Sequence, residues 1–379
     1  MMLPFDVYPL FDIEPVSAHG CTVTDIHGNH YLDLYGGHAV ISIGHSHPHY
    51  IARIEHQLRN IGFYSNSVQN SLQKELARTL GKMSGYPDYA LFLCNSGAEA
   101  NENALKLAAY QTGRTKVLSF SHAFHGRTAG AVACTDNPAI RAPFGVDADK
   151  VSFIALNDIA AVEAALTTQS YAAVIIEGIQ GIAGVILPNE HFLQELRRLC
   201  TLTQTPLILD EIQSGCGRTG AFFAHQHAGI EADLITVAKG TGNGFPIGGV
   251  LIAPHFKAVH GQLGTTFGGN HLACAAALAV LEVMEQEALM ANAQEVGASL
   301  LEQLRGIESG ISGVRGRGLM IGFDVAPEYP TLRQDLLYKE HCFIGASKSH
   351  TIRLLPPLCL SKAEAGQFIV ALHKTLFRS

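Results

Sequence analysis

From about residue 88 onward, short apolar runs alternate with stretches of helical periodicity. The runs are rich in β-branched residues, and they are apolar throughout rather than at every second position. Continuous apolar runs are typical of strands that are buried on both faces of a mainly parallel sheet. The strands predicted in this way cover residues 89–95, 116–120, 172–178, 206–211, 233–239 and 248–253.

Helical segments separate these runs. The two clearest are residues 96–113, directly after the first predicted strand, and residues 189–203. Strands that alternate with helices indicate an α/β domain with a parallel sheet. We therefore predict one large central α/β domain.

The two ends of the chain have a different pattern. Residues 18–34 predict a small hairpin, with turn-forming HG and GN pairs between its strands. Two long helices are predicted over residues 270–306, and mixed strands and helices over residues 311–379. We expect both ends to join in a smaller α+β domain. The predicted boundaries are 1–55 for the N-terminal part of the small domain, 56–265 for the large domain and 266–379 for the C-terminal part.

Composition narrows the class of protein. The chain has 379 residues, of which 47% are hydrophobic and 16% charged, as expected for a globular enzyme with about two domains. A formal charge of −7 argues against a nucleic-acid surface. No apolar run is long enough for a membrane span, and the first residues lack a signal-peptide pattern. We expect a cytoplasmic protein whose eight cysteines stay reduced, because none forms a CxxC pair.

The segment SGAEANE begins at Ser96, where a predicted strand passes into a predicted helix. Such a junction presents free backbone N–H groups and the positive end of the helix, which together suit a phosphate. Gly97 allows a ligand to approach the backbone closely. The simpler alternative is that Ser96 only caps the helix.

Two charged side chains close predicted strands. Asp210 ends PLILD at the sheet edge where open α/β folds bind ligands, although it is also compatible with a solvated loop. Lys239 ends LITVAK and is followed by GTGNGFPIGG. Partial burial would lower its pKa toward the range in which an amine forms a Schiff base. The alternative is a surface lysine with only its aliphatic stem buried.

Taken together and in order, these motifs resemble the class III aminotransferases, which have fold type I and depend on pyridoxal phosphate. The resemblance implies a large domain with a mainly parallel sheet of seven-stranded type, and a homodimer. Within that class the chain most resembles the acetylornithine and succinylornithine aminotransferases of arginine biosynthesis. The motifs that carry the resemblance are NSGAEANENA, FHGRT, IIEGIQG, LILDEIQSGCGRTG, VAKGTGNGFPIGG and GTTFGGNHLACAAA.

The resemblance assigns cofactor roles to individual residues. Lys239 would bind the cofactor covalently and move the substrate proton, and Asp210 would pair with the pyridine nitrogen. Gln213 would contact the phenolic oxygen, and Phe124 would lie against the ring. Phosphate contacts are implied for the backbone of Gly97 and Ala98 and for Thr266 of the neighbouring subunit. Ser96 and Glu177 complete the cofactor-binding set. Some relatives have Ser or Thr in place of Ala98, so a hydroxyl contact is missing here.

Two arginines are the substrate candidates. The resemblance implies that Arg127 binds one substrate carboxylate and that Arg353 binds the α-carboxylate of glutamate or 2-oxoglutarate, where a planar guanidinium pairs well. The alternative for Arg353 is a purely structural role at a strand edge.

Two departures from the family pattern concern the substrate. Ile182 replaces the acid of EPVQGEGG-type motifs that is thought to neutralise the C-terminal arginine in ornithine aminotransferases. His38 stands where those enzymes have a tyrosine near the ornithine α-amine. Both changes argue against free ornithine as the preferred donor. We therefore predict transfer of the terminal amine of N-acetylornithine or N-succinylornithine to 2-oxoglutarate.

Other functions remain open on the sequence alone. The donor of an aminotransferase of this class could instead be ornithine, 4-aminobutyrate or succinyldiaminopimelate. The same fold also hosts aminomutases, racemases and decarboxylases, and a non-catalytic binding protein is the third class. The histidine-rich segments GHSHPHY and FAHQH lack acids or cysteines at zinc spacing, so we predict structural histidines and no metal.

Overall fold

The computed structural model describes residues 2–347 and 350–377. Within this part of the chain, the strands form one large sheet and two smaller ones. The strands are β1 (Pro15–His19), β2 (Thr22–Asp25), β3 (His30–Asp33), β4 (Ala90–Cys94), β5 (Lys116–Phe120), β6 (Val151–Ile154), β7 (Tyr171–Glu177), β8 (Leu207–Asp210), β9 (Leu234–Val237), β10 (Gly248–Ile252), β11 (Ile311–Arg317), β12 (Met320–Val325), β13 (Cys342–Phe343), β14 (Gly345–Ser347) and β15 (Thr351–Leu354).

Helices cover the sheets. The α-helices are α1 (Gly36–Ala39), α2 (Pro48–Asn60), α3 (Ser71–Ser84), α4 (Gly97–Thr112), α5 (Ala129–Ala133), α6 (Ile159–Leu166), α7 (Glu190–Leu202), α8 (His271–Gln286), α9 (Leu289–Arg305), α10 (Leu332–Tyr338) and α11 (Lys362–Leu376). Short 3-10 helices span Pro138–Ile140, Ala148–Lys150, Ala224–Ala228 and Lys239–Thr241.

The large sheet has the strand order β4-β10-β9-β8-β7-β5-β6. Its strands are parallel except for β10, which runs antiparallel to both of its neighbours. Every residue of β7, β8 and β9 is buried, because helices cover both faces of the sheet. The predicted α/β class and the mainly parallel seven-stranded sheet are confirmed.

Each strand predicted from the apolar runs is present, as β4, β5, β7, β8, β9 and β10. The helices predicted at residues 96–113 and 189–203 are α4 and α7. One strand, β6, has no counterpart among the predictions. It lies at the edge of the sheet, where its residues are only half-buried and its apolar run is correspondingly short.

The two smaller sheets involve the ends of the chain. One has the order β1-β2-β3-β13, so that the predicted N-terminal hairpin pairs with a strand from near the C-terminus. The other contains β11-β12-β15-β14. The exact domain boundaries at residues 56 and 266 stay predictions.

Helix α4 crosses the large sheet over β7, β9 and β10. Its contact face consists of small residues, including Ala100, Ala104 and Ala108, which allow close approach and are fully buried. This packing fixes the start of α4 above the ends of the central strands. Among the described residues, no helix combines the length and the apolar character needed to cross a membrane.

Candidate active site

The central strands end in register, and this alignment brings three polar side chains together. Glu177 is paired with Asp210, and Asp210 is paired with Thr236 on the next strand. Lys239 follows β9 directly and opens a 3-10 turn with a φ of +45°. These residues occupy the carboxyl edge of the parallel strands, where open α/β sheets bind ligands.

A cavity of about 300 Å³ lies above this edge. Eight of the predicted site residues line it: Ser96, Gly97, Ala98, Phe124, Glu177, Asp210, Gln213 and Lys239. Ile182 also lines it, whereas four predicted residues do not: His38, Arg127, Thr266 and Arg353.

Burial lowers the pKa of Lys239, because the low-dielectric surroundings disfavour the ammonium form. The nearby carboxylates of Asp210 and Glu177 oppose that effect, and the positive charge of Arg353 adds to it. The net result is an amine that loses its proton more readily than an exposed lysine does. A neutral amine is the form that attacks a carbonyl or accepts a proton.

Asp210 is only 4% exposed, and protein donors hold both of its carboxylate oxygens. Its Oδ2 accepts hydrogen bonds from Asn101 Nδ2 at 2.8 Å and from His125 Nδ1 at 2.7 Å. Its Oδ1 accepts one from the backbone N–H of Ile212 at 3.1 Å. These three donors fix the direction in which the carboxylate points.

Asn101 and His125 lie inside two of the motifs noted above, but the sequence assigned them no role. Asn101 also donates to the carbonyl of His125 at 2.7 Å and accepts from Thr236 Oγ1 at 2.8 Å. Both side chains are almost fully buried. A polar residue on the buried face of α4, four residues after Gly97, was the available signal for Asn101.

Glu177 contacts two backbone segments at once. Its Oε1 accepts from the N–H of Phe124 at 3.0 Å, and its Oε2 accepts from the N–H of Gly181 at 2.9 Å. Burial nevertheless raises the pKa of this carboxyl to about 7, against the effect of these two N–H groups and of His125. The contacts hold Phe124 at the cavity wall, so Glu177 acts through the backbone.

The start of α4 supplies free donors. Ser96 Oγ caps the helix by accepting from the N–H of Glu99 at 3.2 Å. Within the described part of the chain, the N–H groups of Gly97 and Ala98 have no acceptor. A Cβ added at Gly97 would come within 2.8 Å of the Ile212 side chain, so a larger residue there would require Ile212 to shift. Ser96 therefore caps the helix, and the N–H groups that suit a phosphate are present as well.

Phe124 is half-buried in the cavity wall, and Arg127 is exposed beside it. The guanidinium carbon of Arg127 lies 6.0 Å from the centre of the Phe124 ring. Arg127 forms no hydrogen bond or ion pair with any other described residue. Its side chain is therefore available to a ligand.

Arg353 is 2% exposed and sits on β15 behind the cavity. It donates to the carbonyls of Ala346 and Gly181, each at 3.2 Å, and to Gln213 Oε1 at 3.4 Å. No carboxylate among the described residues forms an ion pair with it. Burial lowers the pKa of this guanidinium. A buried cation without an anionic partner is stabilised when an anionic ligand binds beside it.

His38 lies close to this arginine, although it is outside the cavity lining. Its ring Nδ1 forms a short hydrogen bond with the hydroxyl of Tyr35, and its carbonyl accepts from Gln213 Nε2 at 3.3 Å. Burial lowers its pKa, and so do the charges of Arg353 and Lys239. Gln213 therefore connects His38 to Arg353.

Ile182 and Thr266 differ in where they lie. Ile182 is 40% exposed and presents an apolar side chain to the cavity. Thr266 is exposed, away from the cavity of its own chain, and its neighbour Phe267 is 59% exposed. The rings of Phe267 and Phe63 lie 5.3 Å apart and form an apolar surface beside Thr266.

The histidine-rich segments lie apart from the cavity, and most of their imidazoles contact carboxylates, whereas His227 contacts the hydroxyl of Thr219. His45 Nε2 lies 2.8 Å from Asp33, and His47 Nε2 lies 2.8 Å from Glu287. In the other segment, the fully buried His225 is 2.7 Å from Glu211. In each case a carboxylate already occupies the ring nitrogen.

The donor set suits one kind of ligand. Unpaired N–H groups at a helix start bind phosphate, and a buried carboxylate held by three donors binds a protonated ring nitrogen. Between them lies a lysine amine with a lowered pKa, beside an aromatic ring. A phosphorylated pyridine aldehyde carries all of the complementary groups, so the residues present fit pyridoxal phosphate.

Comparisons with known proteins agree with this fit. The family described as Aminotransferase class-III matches residues 6–376. The acetylornithine aminotransferase of Methanosarcina mazei is 38% identical over 358 residues, which are 94% of this chain and 89% of that protein.

Two solved structures are similar over nearly the whole chain. The ornithine aminotransferase of Toxoplasma gondii, with partial occupancy of PLP at its active site, has a TM-score of 0.92 at 30% identity, covering 98% of this chain and 91% of that one. The acetylornithine aminotransferase of Elizabethkingia anophelis has a TM-score of 0.88 at 30% identity, covering 99% and 96%.

Proposed function

The chain belongs to the class III aminotransferases, and from that premise we propose that it transfers the terminal amine of an N-acylornithine to 2-oxoglutarate. The donor is N-acetylornithine or N-succinylornithine, and the products are the N-acylglutamate semialdehyde and glutamate. We propose that this reaction serves arginine biosynthesis in the cytoplasm. The observation that carries the proposal is the meeting of Lys239, Asp210 and the free N–H groups of α4 in one cavity.

Pyridoxal phosphate is the cofactor, and when bound it supplies an electron-withdrawing ring that stabilises the charge left after a C–H bond breaks. Gly97 and Ala98 would hold its phosphate through their N–H groups, and Phe124 would pack against its ring. Asp210 would keep the ring nitrogen protonated, and Gln213 would contact the phenolic oxygen. Each of these residues lines the cavity.

Lys239 carries the proton transfer in this proposal. Its Nζ would hold the cofactor in the resting enzyme and would accept the proton of the substrate carbon during the reaction. Because burial lowers the pKa of Lys239, its amine is a better proton acceptor than that of an exposed lysine. Asn101 and His125 would take part indirectly, because their hydrogen bonds orient the Asp210 carboxylate.

Each of the two arginines would bind one carboxylate of the substrate. Arg353 would receive the α-carboxylate of glutamate or 2-oxoglutarate, because it is buried without an anionic partner among the described residues. Arg127, which is exposed beside Phe124, would bind the second carboxylate. A dicarboxylate such as 2-oxoglutarate engages both guanidinium groups, which favours it as the amine acceptor.

We also infer a homodimer with a shared active site. Thr266 would contact the phosphate of the partner subunit, which agrees with its position outside the cavity of its own chain. The apolar surface formed by Phe63 and Phe267 beside it supports an interface at this place. Closed two-fold symmetry is the usual arrangement of such assemblies.

A donor panel tests the substrate proposal. N-acetylornithine, N-succinylornithine, ornithine, 4-aminobutyrate and succinyldiaminopimelate are each assayed with 2-oxoglutarate, and glutamate formation is measured. The proposal requires that one of the two N-acylornithines has the highest kcat/KM. A higher value for 4-aminobutyrate or ornithine would assign the chain to another ω-aminotransferase. Formation of no glutamate from any donor would favour an aminomutase or a binding protein.

A further inference from the structure

Two cysteines from opposite ends of the chain are in contact. Cys21 lies between β1 and β2, and Cys359 lies between β15 and α11. Their Sγ atoms are 3.8 Å apart, although 338 positions separate them in the sequence. The two thiols therefore meet where the N-terminal strands pack against the C-terminal segment.

The pair differs from the other cysteines. All eight lie within the described residues and are free thiols, and seven of them are buried. Cys359 is the exception, because it is only partly buried. The remaining cysteines with a recorded sulfur contact face backbone carbonyls or a methionine sulfur rather than another thiol: Cys94, Cys216, Cys274 and Cys342.

The hydrogen bond between the two thiols distinguishes their roles. It lowers the pKa of Cys359 and raises the pKa of Cys21. Cys359 is also the partly exposed member of the pair, so it is the sulfur that a reagent in solution reaches and the better nucleophile. Cys21, at 2% exposure, is shielded from any reagent in solution.

The backbone next to Cys359 leaves room for its sulfur. Gly44 has a φ of +93°, and a Cβ added there would lie 2.8 Å from the Cys359 Sγ. The Cys359 sulfur thus rests against a glycine, where any larger residue would crowd it. A disulfide needs the two sulfurs about 2.0 Å apart, so closure requires side-chain rotation and a shift of somewhat under 2 Å.

We propose that Cys21 and Cys359 form a reactive dithiol that low-molecular-weight disulfides oxidise to a reversible Cys21–Cys359 bond. The Cys359 thiolate attacks one sulfur of the reagent, forming a mixed disulfide and releasing one reagent thiol. Cys21 then loses its proton and attacks the Cys359 sulfur, which breaks the mixed disulfide. The departing reagent thiolate takes up a proton and leaves as the second reagent thiol. The protein loses two electrons and two protons, and the reagent disulfide gains them.

The bond would join the first sheet to the segment after β15. Leu358, next to Cys359, donates its N–H to the carbonyl of Ser42 at 2.7 Å, and Ser42 Oγ donates to the carbonyl of Gly240 at 2.6 Å. Gly240 directly follows Lys239 in the chain. These contacts connect the cross-linked segment to the residue next to the active-site lysine. The disulfide would also close a loop that contains most of the chain. Closing such a loop stabilises the folded protein, because it restricts the unfolded state.

The test uses the folded holoenzyme, first reduced and then incubated with excess oxidised glutathione. After acid quenching and alkylation, the intact mass and the peptides are analysed. The wild-type protein should lose the mass of two hydrogen atoms and yield a peptide pair joined through Cys21 and Cys359. Its melting temperature should rise on oxidation and return to its first value after reduction.

Three variants separate the steps. Cys21→Ser should accumulate glutathione on Cys359, because no resolving thiol remains, whereas Cys359→Ser should leave Cys21 unmodified. Cys342→Ser removes a buried cysteine of the same small sheet and should form the cross-link like the wild type. A wild-type protein that carries stable glutathione on Cys359, or no modification at either cysteine, would show that the two thiols only pack together and would overturn the proposal.

Discussion

Asp210 accepts a 2.7 Å hydrogen bond from Nδ1 of His125, and the two side chains are 4% and 2% exposed. Since a carboxylate can only accept, the imidazole must carry its proton on Nδ1. Asn101 donates to the same carboxylate oxygen. The Asp210 carboxylate is thereby held in one orientation before any ligand binds. The effect of replacing Asp210 depends on this preorganisation.

Asp210→Asn should lower kcat by orders of magnitude while the cofactor stays bound. The neutral amide cannot stabilise a protonated ring nitrogen, so the electron-withdrawing capacity of the ring weakens. Steady-state kinetics with cofactor absorbance measure both effects. Asn101→Ala should cause a smaller loss, because His125 and the Ile212 N–H still hold the carboxylate. Near-normal turnover of Asp210→Asn would mean that Asp210 does not contact the ring.

Lys239→Ala should fold, bind pyridoxal phosphate only noncovalently and show no turnover. The side chain supplies both the covalent attachment and the amine that moves the proton. Borohydride reduction of the wild-type holoenzyme, followed by peptide mapping, should place the pyridoxyl label on Lys239. A label on a different lysine would refute the assignment.

Glu177 should make stability depend on pH. Burial raises the pKa of its carboxyl from an ordinary value of 4.5 to about 7 in the folded protein. Between these values the folded state binds more protons than the unfolded state, so stability falls as pH rises from about 4.5 through about 7. The loss is on the order of 3 kcal/mol at 1.36 kcal/mol for each pKa unit.

Urea unfolding of wild type and Glu177→Gln between about pH 5 and about pH 8 measures this effect. The stability of wild type relative to the variant should decline with rising pH. Glu163→Gln, at an exposed position on α6, provides the matched control and should show no such trend. A pH-independent difference for Glu177→Gln would contradict the raised pKa.

Disrupting the apolar surface beside Thr266 should release both the partner subunit and the cofactor. Phe267→Asp places a charge where an apolar contact is proposed, so sedimentation should reveal monomers that retain pyridoxal phosphate poorly. Thr266→Ala should weaken cofactor binding without dissociating the dimer. Val370→Asp, at a residue of α11 that is 67% exposed, serves as the control and should leave both properties unchanged. A fully active wild-type monomer would exclude the shared site.

Donor selectivity should follow from Arg353 and Ile182. A donor with one carboxylate leaves a guanidinium without an anion, whereas N-succinylornithine carries a second carboxylate on its acyl arm. We therefore expect kcat/KM for N-succinylornithine to be at least as high as for N-acetylornithine, and ornithine to be clearly poorer.

Ile182→Glu should raise kcat/KM for ornithine relative to the two N-acylornithines. It should also weaken the binding of 2-oxoglutarate, because the new carboxylate would compete with this substrate for Arg353. Ile182→Gln, which is polar and uncharged, separates the effect of charge from that of polarity. A preference for N-acetylornithine of about tenfold or more would contradict this role of Ile182, and so would unchanged kcat/KM values for all three donors in Ile182→Glu.

Local pattern predicted the large sheet well, because a strand buried on both faces must be apolar throughout. The edge strand β6 was not predicted, because its half-buried residues form a shorter and less apolar run. The cavity-lining residues were found through motifs that carry a family resemblance. The contacts of Asp210 with Asn101 and His125 could not be predicted, because they join positions that only the folded sheet brings together.

The pairing of β3 with β13 has a consequence for how the chain folds during synthesis. Residues His30–Asp33 leave the ribosome long before Cys342–Phe343, their parallel partner. The strands of the large sheet lie between these two segments and can associate first. Because contacts between distant segments form slowly, we expect the exposed edge of β3 to be the part of the nascent chain that waits longest for its partner.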